Sequence, residues 1–526
     1  MKYKNEDLYY YVNNVLNIIK EGLLEKKFRI DSFEDSVVVE RLLQKMCGLV
    51  IPELGIKAQK EIQNGIKPFS EFNGTIELGN FGINFERKKL SFGPYLVVKL
   101  GLSFIYKYLR SLRLFIVYGF KNKKSGQTKS IFLDNNFIHC KNEKEYLEIK
   151  KKIRLSELDC LKENLLIQGE VNFDIYTPSK VEYSKNPLFQ MLYARDIRNL
   201  DIVGLFFAYL LFPFRVSVLI FRNPILLLIS NDFILLPIVL FLNQKRKLQS
   251  FIYTTTDIGY QPLWIRSFRN RKFTTHFLNY SCNSHDFRHN SLNRVDFYPL
   301  IGFIFADVNW VWVESQKKMY QHMGLKSIFK VVGPILEGLN NINLSYKSKK
   351  KNLRVALFDV PVFKEEFIQK LGTLDYYYKS SNMLKFYTTI LRVCQELEKL
   401  LSVNIKIVLK PKRRTHPLYD ESHLIQLSKL TKANKNFVIL DYDYDLNKLV
   451  LQSCCCVSIP YTGTAIIASK LGISSCYYDP LSSLFKPRFY ESGLNYIYDE
   501  IGLSNFIRDA ISKFSVNLDI KNNNYD

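Results

Sequence analysis

The last third of the chain alternates short apolar runs with stretches whose apolar residues recur at helical spacing. The runs predict strands, and the stretches between them predict helices. The predicted strands are 353–358, 404–409, 437–440, 454–459 and 474–478, and the predicted helices are 383–401, 445–452 and 464–471. Apolar strands that alternate with helices are typical of a parallel sheet covered on both faces, so this part predicts a doubly wound α/β domain.

A similar but less regular pattern precedes this domain. Strands are predicted at 250–254, 311–314 and 329–333, with a helix at 315–323, which indicates a parallel crossover unit. The polar stretch 337–351 predicts a linker. The predicted fold class is therefore α/β, with two Rossmann-like lobes and a mixed N-terminal extension. The predicted domains are the extension at 1–150, an N-terminal lobe at 151–340 and a C-terminal lobe at 341–526.

Two apolar zones in the N-terminal half also carry basic residues. In the zone 95–120 these are Lys99, Lys107, Arg110 and Arg113. They are too many for a bilayer span of about 20 apolar residues, so the zone predicts either an amphipathic helix at a membrane surface or a buried helix with a basic edge. The zone 202–242 is interrupted by polar residues and contains no uninterrupted piece of spanning length. It predicts a monotopic membrane insertion or, alternatively, the interior of an α/β lobe.

Composition narrows the choice of partners. The 526 residues carry a net charge of +24, which favours nucleic acid, an anionic membrane or an anionic substrate. Because no nucleic-acid-binding motif is present, we expect an anionic membrane surface and no nucleic acid. The nine cysteines show no CxxC pair, and three of them lie in the predicted strand 454–459, which favours buried thiols in a reducing cytoplasm. The first residues lack the apolar core of a signal peptide, so a cytoplasmic location is expected.

The strongest chemical signal is the segment 457–480, VSIPYTGTAIIASKLGISSCYYDP. A predicted strand ends here, a loop of small hydroxyl residues follows, and a helix begins. Backbone N–H groups at a helix N-terminus, next to the carboxyl end of a parallel strand, favour a bound phosphate. The predicted phosphate-binding residues are Ser458, Tyr461, Thr462, Gly463 and Thr464. The alternative is that Thr462 or Thr464 only caps the helix.

A basic loop, LKPKRRTHPLY at 409–419, follows another predicted strand of the same sheet. Its candidate binding residues are Lys410, Lys412, Arg413 and His416. A diphosphate or a nucleoside monophosphate needs such positive charge, and arginine offers paired donors to it. The alternative is a solvated basic loop without a ligand.

The run SIPYTGTAIIASKLGISSCYYDP resembles the signature of bacterial surface-polysaccharide biosynthesis proteins that carry a Pro-Phe-Thr-Ser motif, which here reads Pro460-Tyr461-Thr462-Gly463. KPKR at 410–413 and VESQKKMYQHMGLKSIFKVVGPI at 313–335 fit the same family. Glycine in place of serine removes one hydroxyl, which leaves its role to Thr464 or to the backbone. The resemblance implies a glycosyltransferase of the GT-B fold that builds capsule, O-antigen or a similar surface glycan from a nucleotide-sugar.

The His-Pro pair at 416–417 and the Ser/Thr loop are also similar to bacterial sialyltransferases and related ulosonic-acid transferases. In those enzymes such elements hold the phosphate and ribose of a CMP-linked donor, so a CMP-sugar is the favoured donor, ahead of UDP- and GDP-sugars. A lipid-linked or surface glycan acceptor is expected at the inner face of the cell membrane, with no further cofactor. The alternatives are a noncatalytic membrane-associated scaffold in glycan assembly or export and a nucleotide-sugar-modifying enzyme.

An inverting transfer would need a base to deprotonate the acceptor hydroxyl. Asp257, after the predicted strand 250–254, is the first candidate, Asp359 is the second and Glu314 is the third. Each aspartate has a structural alternative as a turn residue. The Asp-rich stretch 441–445 has a spacing that can hold a divalent ion, but capping of the next helix explains it equally well. Because GT-B enzymes seldom need a bound metal, no metal is expected.

Overall fold

The computed structural model describes residues 23, 33–46, 83–86, 89–92, 94–119, 130–133, 165–168, 181–184, 188, 197–253, 261–266, 271–279, 304–334, 353–364, 379–460, 462–482 and 494–523. The chain forms two compact units. The first comprises Met1–Tyr280, Phe297–Trp312 and Tyr320–Gly338, and the second comprises Ser281–Asp296, Val313–Met319 and Leu339–Asp526.

The first unit contains a seven-stranded parallel sheet. An antiparallel pair, β1 (Ile83–Glu86) and β2 (Lys89–Phe92), precedes it in the chain. The sheet consists of β3 (Ser130–Leu133), β4 (Leu165–Gln168), β5 (Val181–Ser184), β6 (Ser250–Tyr253), β7 (Thr274–Leu278), β8 (Val308–Val311) and β9 (Ile328–Val331). The spatial order is β5-β4-β3-β6-β7-β8-β9, so the order changes direction between β3 and β6.

Some helices of the first unit are buried among other elements, and others expose an apolar face. The described helical segments are 35–46, Pro94–Gly119, Asn199–Arg222, the 3-10 helix Pro224–Ile229, Ser230–Ile234, Leu236–Gln244 and the 3-10 turn Leu263–Ile265. The helix Glu314–His322 connects β8 to β9, and its residues up to Met319 belong to the second unit. The apolar zone 202–242 contains helices of both types, buried and exposed. Residues 225–229 are buried, whereas the helix Asn199–Arg222 exposes one whole face.

The polar interruption at Asp232 is a buried ion pair. Arg41 donates from Nε and Nη2 to the two carboxylate oxygens of Asp232, at 2.6 and 3.1 Å, and the backbone N–H of Leu263 donates to the same carboxylate at 2.8 Å. Both charged side chains are almost fully buried. A buried charge requires such a partner, so Asp232 fixes the helical segment 35–46 to the bent helical region 224–244.

A six-stranded parallel sheet forms the second unit. Its strands are β10 (Leu353–Phe358), β11 (Ile405–Lys410), β12 (Phe437–Ile439), β13 (Cys455–Ser458), β14 (Ser474–Tyr478) and β15 (Asn495–Ile497). The spatial order is β12-β11-β10-β13-β14-β15, with all pairs parallel. In chain order this is 3-2-1-4-5-6, the arrangement of a Rossmann-type sheet.

Helices cover the second sheet and bury its apolar strands. They are Ser380–Leu401, Glu421–Ala433, Leu446–Leu451, Gly463–Lys470 and Glu500–Asn523. The helix Ser380–Leu401 buries Met383, Phe386 and Ile390 in the same core as Leu503 and Ile507. Burial on both faces explains why these strands read as continuous apolar runs. The predicted burial of Cys454, Cys455 and Cys456 is confirmed, and Cys394 and Cys476 are buried as well.

The two parallel sheets confirm the α/β class and the two Rossmann-like units. The predicted strands at 353–358 and 474–478 coincide with β10 and β14. The strand predicted at 311–314 was placed too late, because β8 covers Val308–Val311 and Glu314 already begins a helix. A domain boundary at residue 150 would separate β3 from the rest of the first sheet, in which β3 lies between β4 and β6. The predicted linker 337–351 lies outside the described residues.

Candidate functional site

The second sheet has a topological switch point between β10 and β13. β10 is first in the chain, and the sheet continues through β11 on one side and through β13 on the other. In the register, Phe358 at the end of β10 lies opposite Lys410 on β11 and opposite Ser458 on β13. The segments that follow these three strands therefore leave the same edge of the sheet side by side. Ligands of open α/β sheets bind at such a point.

Asp359 occupies the centre of this edge, directly after β10. Its Oδ2 accepts a hydrogen bond from the Tyr387 hydroxyl at 2.7 Å, and its Oδ1 accepts one from the backbone N–H of Lys412 at 3.3 Å. Burial outweighs these two bonds and raises the pKa of Asp359 to about 6. The carboxyl group therefore connects the helix Ser380–Leu401 to the start of the basic loop.

The basic loop is attached to the segment after β10 at both of its ends. Beyond the contact of Lys412 with Asp359, the backbone N–H of Asp420 donates to the Val362 carbonyl at 3.0 Å, and that of Lys364 donates to the Leu418 carbonyl at 2.9 Å. Between these attachments, residues 412–418 are exposed. The structure thus holds a short, strongly basic loop at the sheet edge, with its side chains directed to solvent.

Two residues of this loop have defined partners. Lys410, the last residue of β11, donates from Nζ to the Tyr442 carbonyl at 2.6 Å, so its charge lies partly against the adjacent loop. His416 accepts a hydrogen bond at Nδ1 from the backbone N–H of Leu418 at 3.2 Å. This contact requires an unprotonated Nδ1, which places the proton of the neutral ring on Nε2, where it can be donated to a ligand.

The hydroxyl loop after β13 forms a network of its own. Thr464 Oγ1 lies 3.1 Å from Ser458 Oγ and 3.2 Å from Thr462 Oγ1, and the Thr462 hydroxyl donates to the Ile459 carbonyl at 3.0 Å. The buried Tyr477 hydroxyl donates to the Thr462 carbonyl at 2.6 Å. These contacts fix the turn from which the helix Gly463–Lys470 begins.

The side-chain cap that the alternative assigns to Thr462 is not formed. Thr462 is the N-cap residue, but its side chain makes no hydrogen bond to the N–H groups of the first turn. Those N–H groups carry the positive end of the helix dipole, which favours an anion. Gly463 is the first helical residue, and Tyr461 lies outside the described residues.

The remaining candidates are the two other possible bases, Asp257 and Glu314, and the Asp-rich stretch 441–445. Asp257, which follows β6, lies outside the described residues. Glu314 begins a helix and forms an ion pair with Lys317 at 2.8 Å. In the stretch 441–445, Asp445 accepts from the backbone N–H of Lys448 at 2.9 Å, which confirms capping at that position. Among the described residues, no group of three His, Cys, Asp or Glu side chains has a geometry that can hold a metal ion.

Sequence reasoning missed Tyr387 and Tyr477. Both are buried aromatic residues within apolar stretches, where they read as ordinary core positions. Their hydroxyls nevertheless hold the two loops of the site, through Asp359 and through the Thr462 carbonyl. A buried tyrosine hydroxyl needs a hydrogen-bond partner, and this requirement is the one signal in the sequence that points to such roles.

Solved structures align with this chain only at low similarity. A variant of the wall teichoic acid polymerase TagF is 11% identical, with a TM-score of 0.38, and the alignment covers 78% of this chain and 88% of that one. Anabaena HepE in complex with UDP-glucose is 11% identical, with a TM-score of 0.36 and coverages of 74% and 90%. The α,α-trehalose 6-phosphate synthase of Burkholderia multivorans is 10% identical, with a TM-score of 0.40 and coverages of 74% and 90%.

No curated protein matches the sequence. The sequence profile of the polysaccharide biosynthesis PFTS motif proteins, in contrast, matches residues 211–507, which is more than half of the chain. The match includes both loops at the edge of the second sheet, among them the run Pro460-Tyr461-Thr462-Gly463 that resembles the Pro-Phe-Thr-Ser motif. The chain is therefore a member of the polysaccharide biosynthesis PFTS motif family.

Proposed function

We propose that this protein is a GT-B glycosyltransferase that transfers a sugar from a nucleotide-sugar to a growing surface polysaccharide. One observation carries the proposal: Asp359, the basic loop and the uncapped helix start at Gly463 all follow strands that end side by side at the switch point. A nucleotide-sugar presents phosphate groups. The basic loop offers these groups positive charge, the helix start offers backbone N–H groups and the helix dipole, and Asp359 holds the basic loop in place.

The favoured donor is a CMP-sugar, with UDP- and GDP-sugars next. A CMP-sugar carries a single phosphate, which suits one helix N-terminus together with a proton donated by His416. Membership in a polysaccharide biosynthesis family supports a glycan acceptor, lipid-linked or at the cell surface. We assign no cofactor beyond the donor, and Asp257 is the proposed base for the acceptor hydroxyl.

Donor identity is tested by thermal unfolding of the full-length protein with CMP-, UDP- and GDP-sugars. A ligand that binds only the folded state raises the unfolding temperature with concentration, so the true donor class gives a saturable shift. Release of the free nucleotide in the presence of acceptor then measures turnover. If no nucleotide-sugar gives a shift or turnover, the proposal fails, and a noncatalytic scaffold becomes the better assignment.

His416→Ala tests the basic loop. The substitution removes one charge-assisted or neutral hydrogen bond to the donor, so we expect the donor Kd to rise about five- to twentyfold with little change in stability, because the side chain is exposed. His322→Ala, which replaces another exposed histidine, is the control and should leave the Kd unchanged. An unaltered Kd for His416→Ala would remove this residue from the donor site.

A further inference from the structure

Two long helices of the first unit, Pro94–Gly119 and Asn199–Arg222, pack against each other through aromatic side chains. The rings of Tyr108 and Tyr209 stack with centroids 5.3 Å apart, and those of Phe115 and Phe206 lie 5.6 Å apart. The Tyr108 hydroxyl donates to the Tyr209 carbonyl at 3.0 Å.

The opposite face of the helix Asn199–Arg222 is exposed and apolar along its whole length. The exposed residues recur every three or four positions and form one stripe: Leu200, Val203, Phe207, Leu211, Phe214, Val218 and Phe221. The exposed fractions reach 81% for Leu200, 72% for Phe214 and 88% for Phe221. Such a stripe on a soluble surface is unfavourable unless something covers it.

The helix Pro94–Gly119 exposes an apolar stripe of its own, with a basic border. Val98, Leu102, Ile105, Leu109 and Ile116 are exposed at heptad-like spacing. At 100° per residue, Lys99, Lys107, Arg110 and Arg113 lie on the adjoining side of the helix, away from the buried face. The exposed surface of this helix therefore has an apolar stripe along one side and a basic side that adjoins it, on which Tyr106 and Val117 are also exposed.

Acidic side chains are nearly absent from both helices. The helix Pro94–Gly119 contains none, and the helix Asn199–Arg222 contains only Asp201. Asp201 is paired with Arg198 at 3.2 Å and with Lys245 at 2.9 Å, and these pairs offset its charge. The stripes and their basic residues together, which we call the paired-helix surface, are thus apolar and positive.

We propose that the paired-helix surface docks this protein on an anionic lipid bilayer. The apolar stripes enter the boundary between headgroups and acyl chains, and the basic residues contact the lipid phosphates, which is the arrangement of interfacial helices. A protein partner would need a groove that is both apolar and acidic, whereas an anionic bilayer supplies both properties on a surface of any extent. This inference does not depend on the proposed transferase activity.

The helices lie on the bilayer and do not cross it. Asn199–Arg222 is long and apolar enough for a span, which corrects the expectation that no piece of this zone reaches that length. However, Leu205, Tyr209 and Val216 are buried in the first unit, and the helix Pro94–Gly119 carries four basic residues along its length. If the two helices crossed the bilayer, the packed face of Asn199–Arg222 would be exposed to lipid. The four charges of Pro94–Gly119 would be buried in the hydrocarbon core, and both changes are unfavourable.

Vesicle flotation of the full-length protein tests the docking. The probes are phosphatidylcholine vesicles with and without 30% phosphatidylglycerol, where 30% is about the anionic fraction needed for a strong surface potential. We expect binding to the anionic vesicles and at least about tenfold weaker binding to the neutral ones. Extraction by alkaline carbonate should release the protein, whereas retention would contradict the interfacial geometry.

Two variants address the two halves of the surface. Phe207→Asp/Phe214→Asp places charge in the apolar stripe, and Arg110→Glu/Arg113→Glu reverses the basic border; each should weaken vesicle binding about tenfold or more. The controls are Leu400→Asp/Ile425→Asp and Lys385→Glu/Lys399→Glu, which change equally exposed residues of the second unit. Circular dichroism verifies that the variants remain folded.

Three results would overturn the proposal. The first is the absence of wild-type binding to anionic vesicles. The second is equal binding by the surface variants and their controls. The third is self-association of the wild type, measured by light scattering, that Phe207→Asp/Phe214→Asp abolishes while the wild type does not bind vesicles. This result would assign the surface to a second copy of the chain. Nucleotide-sugar turnover is measured separately, so failure of docking is distinguishable from failure of the proposed function.

Discussion

Thr464→Asp is expected to abolish donor binding while leaving the second unit at least as stable. Thr464 lies in the first turn of the helix Gly463–Lys470, where its hydroxyl contacts Ser458 and Thr462. An aspartate there can accept from the Ser458 hydroxyl, whereas the Thr462 hydroxyl already donates to the Ile459 carbonyl, and the aspartate charge complements the helix dipole by about 0.5 kcal/mol or more. The same negative charge repels a donor phosphate at the helix start, and the carboxylate occupies part of its space. The donor Kd should therefore rise at least about 100-fold.

Thr464→Asn is the matched control, since asparagine has the size and shape of aspartate without its charge. It should cost donor affinity no more than about tenfold, and its stability should lie near that of the wild type. Titration calorimetry with the donor and chemical denaturation measure the two quantities. If aspartate and asparagine weaken the donor equally, the negative charge has no role, and the helix start does not bind the phosphate.

Asp359→Asn is expected to stabilise the protein above about pH 6. The pKa of Asp359 is raised to about 6 by burial, whereas an unfolded aspartate titrates near 4. A raised pKa means that the protonated carboxyl contributes stability below pH 4 and that this contribution is lost as the pH rises through 6. Asparagine does not titrate, so the variant should be about 2 kcal/mol more stable than the wild type at pH 7.5 and nearly equal to it at pH 4.

Denaturation of both proteins between pH 4 and pH 7.5 measures this difference. Asparagine can accept from Lys412 N–H through its oxygen and donate to the Tyr387 hydroxyl through its nitrogen, so both contacts of Asp359 can be kept. A constant difference across this range would contradict a raised pKa. A difference of the opposite sign at pH 7.5 would show that the ionised carboxylate is stabilised by the loop.

The same variant separates the two candidate bases. Both oxygens of Asp359 are engaged, which favours a role in holding the basic loop over proton transfer. We therefore expect Asp359→Asn to retain most of its turnover and Asp257→Asn to lose it with donor binding intact. The base would instead be Asp359 if Asp359→Asn lost turnover with an unchanged donor Kd. In that case the rate of the wild type would also rise with pH near 6, and the variant would lack this rise.

The two halves of the zone 202–242 show where sequence reasoning reaches its limit. Both halves are apolar and interrupted by polar residues, and the pattern left membrane contact and lobe interior open. In the structure, residues 225–229 are core, whereas the stripe from Leu200 to Phe221 is exposed. Only the packing against other elements distinguishes them, because an apolar helix has the same sequence whether its outer face meets protein or another apolar phase.

The sequence by itself determined five of the six described strands and three of the five described helices of the second sheet unit, its parallel sheet, and two loops rich in basic and hydroxyl side chains. It did not predict the strand Asn495–Ile497 or the helices Glu421–Ala433 and Glu500–Asn523. The properties that it determined depend on residues close together in the chain, through the periodicity of apolar side chains and the residues that begin or end a helix. The tertiary structure alone decided that Phe358 lies between Lys410 and Ser458 and that Asp359 meets Tyr387 and Lys412. Strand order, register and such distant contacts result from the packing of the whole unit, so no local pattern encodes them.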